Sequence, residues 1–210
     1  MQGIIHFETF LITGILLNIT PGNDTIFILT RSIAQGRMAG IMSVLGIATG
    51  TIVHTLLAAF GLSILLAKST IAFNIVKYAG ATYVLHIGFK MLTDKKPILT
   101  NNGETKKSVD YLKTYRDGMI TNVLNPKVAL FFIAFLPQFI EPTEQHAFLP
   151  FLILGITFNI TGTIWCLVLA NFAGFIFDKL KHNDNISMYI NRVCGVALIA
   201  LGIKVATTSR

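Results

Sequence analysis

The stretch AFLPFLILGITFNITGTIWCLVLANFAGFIF, residues 147–177, contains no aspartate, glutamate, lysine or arginine. About 20 apolar residues of helix are enough to cross the ~30 Å hydrocarbon layer of a bilayer, so this run is long enough to span. The whole chain has the same character. Of its 210 residues 53% are hydrophobic and 13% charged, and its mean hydropathy is +0.66. Soluble domains carry roughly 25% charged residues. The polar side chains here are too few to cover a water-exposed surface, so lipid is the expected solvent.

Outward from this fifth run, five more segments are apolar enough to span. The first is Ile4 to Thr30, interrupted by Pro21-Gly22 and Asp24. The second is Ala39 to Ala67, with one histidine, His54. The third is Thr70 to Leu92, with Lys77 and His86, and the fourth is Gly118 to Ile140, with Lys127. The sixth is Ile186 to Thr207, where Arg192 and Lys204 must snorkel to the interface. The expected fold is therefore an all-α integral membrane protein of six transmembrane helices. The start of the chain lacks a basic leader region and carries Glu8, so it reads as a span and not as a cleaved signal.

Charge places the connections. Arg31 and Arg37 follow span one, the loop over 93–117 holds Lys95, Lys96, Lys106, Lys107, Lys113 and Arg116, and Lys179 and Lys181 follow span five. The alternate connections hold Lys68, and Glu141 with Glu144. The positive-inside rule then puts that loop in the cytoplasm and both termini outside. The net charge of +7 reads as an orientation signal; no nucleic-acid motif accompanies it.

A repeat is visible. Span three reads Lys77-x-x-Gly80 then Gly88-x-Lys90, and span six reads Arg192-x-x-Gly195 then Gly202-x-Lys204. Spans one and four each run through polar residues into a proline: Asn18-Ile19-Thr20-Pro21 and Asn122-Val123-Leu124-Asn125-Pro126. Three spans per half force opposite insertion, which predicts two inverted three-helix repeats, about 1–92 and 117–210, joined by the loop over 93–116.

A proline within a span removes a backbone N–H and frees carbonyl groups one turn back. Such breaks survive in a membrane only against protein or a wet cavity, and paired breaks point to a substrate site near mid-membrane. The candidate binding residues are Asn18, Thr20, Pro21, Gly22, Asn23 and Asp24 in span one, and Asn122, Asn125, Pro126 and Lys127 in span four. If Arg31 and Asp117 mark one interface, Asp24 lies roughly 10 Å and Lys127 roughly 15 Å inside it. An Asp24–Lys127 ion pair is therefore expected, since either charge alone in lipid is costly. The pattern suits a small zwitterion. Asp24 and His54 are the candidates for proton coupling, with His86 and Asn159 more often packing groups. Gly46-x-x-x-Gly50 predicts close helix contact, beside Gly36 and Gly40. Cys166 and Cys194 are isolated in apolar runs and read as small packed residues. No cofactor or metal site is called.

In order along essentially the whole chain, these residues resemble the LysE/RhtB superfamily of bacterial amino-acid exporters, on the homoserine, threonine and leucine side. The likeness rests on Thr20-Pro21-Gly22-x-Asp24, on Gly46, Gly50 and His54, and on Lys77-x-x-Gly80-Ala81-x-Tyr83. It continues through Asn125-Pro126-Lys127 with Phe131-Phe132, Pro137-Gln138-Phe139, and Arg192-x-x-Gly195. Asn23 stands where many members have a second proline. The resemblance implies a multi-pass exporter in the bacterial plasma (inner) membrane, moving amino acids outward by proton antiport. The expected partners are an amino-acid substrate and the lipid bilayer, with homo-oligomerisation left open. The alternatives are a divalent metal-ion exporter, for which clustered ligands are missing, and a membrane thiol-redox enzyme, for which paired cysteines are missing.

Overall fold

A computed structural model describes residues 3–62, 109–141 and 147–181, with side chains to 175, and single positions within 78–93 and 192–203. The chain enters helix α1 (Phe7–Ile19), breaks, and continues as α2 (Asn23–Gln35), bent from α1 by 48°. Helix α3 (Arg37–Leu57) ends in a π-helical turn, Ala58–Leu62. Helix α4 (Tyr111–Val123) breaks into α5 (Pro126–Leu130), which runs on through π and 3-10 turns to Phe139 at a bend of 46°. Helix α6 spans Phe148–Lys181. Among the described residues, Arg37–Gly61 and Phe148–Phe175 are long and apolar enough to cross a membrane, and the two bent pairs make up to two further spans. These are the first, second, fourth and fifth expected spans. The third and sixth lie outside the described residues except for those single positions, and most of the residues of the repeat motif and Cys194 lie outside them too.

Local chemistry sets the ends. Helix α1 stops at Thr20 because the residue before a proline is pushed out of the helical region; Thr20 has ψ 120°. Gly36, at φ +92°, makes the turn from α2 into α3 in a region that favours glycine. One boundary differs from expectation. The loop was expected to run to Asp117, but α4 begins two turns sooner, at Tyr111. The Asp110 side chain accepts a hydrogen bond from the Lys113 backbone N–H at 2.9 Å, an N-cap that starts the helix there. Pro150 sits in the first turn of α6, where its missing N–H has no intrahelical role.

The two broken helices lie antiparallel along their length. Arg31 pairs with Asp117 at 3.2 Å at one end. Asp24 meets Asn122 in the middle. At the other end the Ile5 N–H donates to Phe139 O, and the Glu141 N–H to Gly3 O, both at 2.9 Å. The Arg31–Asp117 contact brings together the two residues taken above as markers of one interface.

Polarity is inverted relative to a soluble domain. On α6, Leu149, Ile156, Ile160, Ile164, Phe172 and Phe175 form an exposed apolar stripe at helical spacing. Inside, the helices enclose two apolar layers. One packs Phe10, Phe131, Phe132, Phe135, Phe139, Phe151 and Phe158 around Ala58 and Ala59. The other packs Ile28, Leu29, Val44, Ile47, Leu169, Ala170 and Ala173. On α1–α2, α3 and α6 alike, the residues between these layers include the polar ones.

The tightest contact is between α3 and α4, and glycine permits it. A Cβ on Gly46 would strike the Tyr115 carbonyl oxygen, and one on Gly50 would lie 2.8 Å from Asn122 Cβ. Across the same contact, a Cβ on Gly118 would lie 2.7 Å from Ser43 O. The expected Gly46-x-x-x-Gly50 motif is thus a helix-packing motif in the structure. Gly46→Ala should destabilise the protein by about 1–3 kcal/mol, since the obstruction is backbone. Gly174→Ala, where a Cβ meets nothing within 4 Å, should be neutral or stabilising by about 0.5–1 kcal/mol. Thermal unfolding of the two purified variants checks the contrast.

Candidate functional site

Each proline leaves one carbonyl without its helical donor. In span one Pro21 has no N–H to offer Leu17 O, and the helix restarts only with Ile26 N–H donating to Gly22 O at 3.0 Å. Lys127 supplies what is missing: its Nζ donates to Leu17 O at 3.1 Å and to Thr20 O at 2.8 Å. The lysine stem lies over Gly22, where a Cβ would come within 3.2 Å of Nζ. In span four Pro126 has no N–H to offer Asn122 O. That carbonyl accepts from Asn125 N–H at 2.9 Å, and His54 Nε2 lies 3.2 Å away. A carbonyl partner means Nε2 carries the proton. In both breaks, a side chain from another segment reaches the orphaned oxygen.

The charges also suit the half-helix poles. Asp24 is in the first turn of α2, at the positive end of that helix. Lys127 belongs to the first turn of α5 but reaches across to the carbonyl end of α1, where a cation is favoured. The expected direct ion pair gives way to these contacts. Lys127 is held by carbonyl groups, and Asp24 Oδ2 accepts from the Asn122 amide at 2.8 Å.

Both charges line one cavity. Its lining includes the polar Asn18, Asp24, Asn122, Lys127, Asn159 and Thr163 and the apolar Val44, Ile47, Ala48, Val128 and Phe158. Among the described residues, Asp24 Oδ1 is buried and has no hydrogen-bond partner. An unpaired carboxylate oxygen is costly unless a proton or a cationic guest reaches it.

Of the other candidates, Thr20, Pro21, Gly22, Asn23, Asn125, Pro126 and His54 do not line this cavity. Thr20 is buried, with its hydroxyl donating to Leu16 O at 2.7 Å and its carbonyl accepting from Lys127. Pro21 and Gly22 form the break, and Asn23 is exposed. Asn125 caps α5, its side chain accepting from Lys127 N–H at 3.0 Å, and Pro126 follows at the first helical position. His54 is buried behind Asn122 and stacks on Phe132 at 5.7 Å. Asn18 and Asn159 are held in turn: Asn18 Nδ2 donates to Thr161 Oγ1 at 3.3 Å, and Asn159 Oδ1 accepts from Thr163. Cys166, expected to be simple packing, lines the cavity.

Thr51, Gly162 and Thr163 were not singled out from the sequence. The Thr51 hydroxyl lies 3.3 Å from Asn122 Oδ1, and a Cβ on Gly162 would lie 3.0 Å from Asn18 Oδ1. Thr51 follows Gly50 and could have been found from that motif; nothing in the sequence marks Gly162. Asn122 joins Asp24, Thr51 and His54. Asn122→Leu should therefore cost about 1–3 kcal/mol, because it strips the partner from a half-buried carboxylate. Asn122→Asp should cost more through like-charge repulsion. Thermal unfolding of both variants measures this.

A leucine efflux protein of Salmonella typhimurium (strain LT2) is 28% identical over 207 residues, 98% of this chain and 96% of its own length. YrhP, an uncharacterized membrane protein of Bacillus subtilis (strain 168), is 29% identical over 197 residues, 90% of this chain and 92% of its own. An uncharacterized membrane protein of Vibrio cholerae is 28% identical over 200 residues, covering 94% and 95%. No solved structure matches. The LysE type translocator family model matches residues 15–209, which takes in both breaks and every residue of the cavity. The chain belongs to the LysE-type translocator family and is a membrane translocator, not an enzyme.

Proposed function

We propose that this protein is a secondary exporter of amino acids or related small zwitterions across the bacterial plasma (inner) membrane, driven by proton antiport. The observation that carries the reading is the cavity at the two breaks. It brings together a buried carboxylate oxygen, a lysine, three asparagines and an apolar wall of Val44, Ile47, Ala48, Val128 and Phe158, between two apolar layers. Asp24 Oδ1 can take the cargo's ammonium, the amides of Asn18, Asn122 and Asn159 with Lys127 its carboxylate, and the apolar wall its side chain. The likeness to a leucine efflux protein supports a zwitterionic cargo. A divalent cation would call for clustered ligands, and among the described residues no three His, Cys, Asp or Glu side chains gather.

Antiport follows from competition. A proton and an ammonium group cannot both occupy the same carboxylate oxygen, so each leaves Asp24 when the other arrives. The apolar layers on either side are then the two gates, of which one must part at a time. In this reading the six spans form two inverted repeats, about 1–92 and 117–210, joined by the cytoplasmic loop over 93–116, with both termini outside. The antiparallel run of the two broken helices supports it.

Cells expressing the chain should export one or more members of a labelled amino-acid panel; accumulation inside would reverse the direction. In proteoliposomes, Asp24→Asn should lose export driven by a pH gradient while still inserting, since the amide keeps the Asn122 contact but holds no exchangeable charge. Wild-type export rates from that variant would remove Asp24 from the coupling.

A further inference from the structure

Of the two carbonyl groups that lose a proline's N–H, Asn122 O meets an imidazole as well as a backbone N–H, and Leu17 O meets an ammonium. The difference has a physical cause. The first break sets Leu17 O and Thr20 O, at the negative end of α1, beside the cavity that Asp24 lines. Carbonyl groups freed where a spanning helix unwinds are donors suited to a small monovalent cation such as sodium. Here Lys127 Nζ is already there, at 2.8 and 3.1 Å from the two oxygens. Gly22 gives the stem its passage, since a Cβ at that position would crowd Nζ at 3.2 Å. The second break has no comparable need: Asn122 O accepts from a backbone N–H, and its side-chain neighbour is His54.

We infer that the Lys127 ammonium is a tethered cation filling a carbonyl site that would otherwise bind a free alkali or ammonium ion, and that this makes the protein indifferent to sodium. The tether does two things. It satisfies the broken helix in every state of loading, and it holds a positive charge in the same cavity as Asp24. The cavity without cargo then needs no inorganic counter-ion. A cation attached to the protein cannot be carried across, so it cannot serve as the coupling ion.

The inference goes beyond the exporter reading and is tested without relying on export. The first measurement uses the wild-type protein in nanodiscs, with sodium, lithium or potassium exchanged for N-methylglucamine. Its melting temperature should not change, and a saturable stabilisation by sodium would overturn the inference. The second uses Lys127→Ala, which removes the tether and leaves the carbonyl groups. Its melting temperature should fall by on the order of 5 °C. Methylammonium, ethylammonium or sodium at millimolar concentration should restore part of that loss saturably in the variant and not in wild type. A loss that none of these cations reverses, or no loss at all, would overturn the inference. Lys127→Met serves if the alanine variant does not fold, and the wild-type ion series decides independently of either. Cation rescue in a protein that exports no amino acid would sink the exporter reading alone.

Discussion

A carbonyl group that loses its helical donor in an apolar solvent must find another donor within the protein. Pro21 and Pro126 impose that demand on Leu17 O and Asn122 O, and much of the centre of the molecule answers it. Lys127 crosses from one broken helix to cap the other, and His54 leans from α3 onto the second break. A charged side chain within an apolar broken helix, which alone in lipid would be strongly unfavourable, is thereby held by oxygen atoms that are themselves in need of a donor. The two unfavourable features offset one another.

This arrangement explains how an acid and a base share a cavity without being consumed by a mutual contact. Asp24 is tied on one oxygen by Asn122, which leaves the other oxygen without a partner among the described residues, on a side chain that lines the cavity. Had the two charges closed on each other, both would be satisfied and the site would offer a guest little. Asn122 can hold Asp24 only because α4 lies so close to α3, and that closeness depends on Gly46, Gly50 and Gly118. Packing at the glycine contact and polarity at the breaks are parts of one construction. The aromatic layer on one side and the aliphatic layer on the other keep that polar band at one depth.

Much of this was readable in the residues. Apolar runs of spanning length against a low charged fraction gave the fold class, because no other solvent accommodates such a chain. Prolines flanked by asparagine and threonine gave the positions of both breaks, since the lost N–H is a property of the residue itself. Gly46-x-x-x-Gly50 gave the close contact, although its partner helix was not named. The start of α4 was misjudged because the basic residues after Asp110 read as a loop, while the Asp110 cap that begins the helix is a local hydrogen bond that counting charges does not detect.

What the sequence by itself determined is where the backbone must break and which charges lie at that depth, because both follow from covalent structure and from spacing along a helix. What only the tertiary structure decided is whom each group meets. Asp24 and Lys127 looked like partners because they are opposite in sign and close in depth. The fold gave them to Asn122 and to the carbonyl groups of Leu17 and Thr20 instead. The direction in which a side chain reaches depends on the bend between half-helices and on the approach of a third helix, and neither is written in the spacing of residues along the chain.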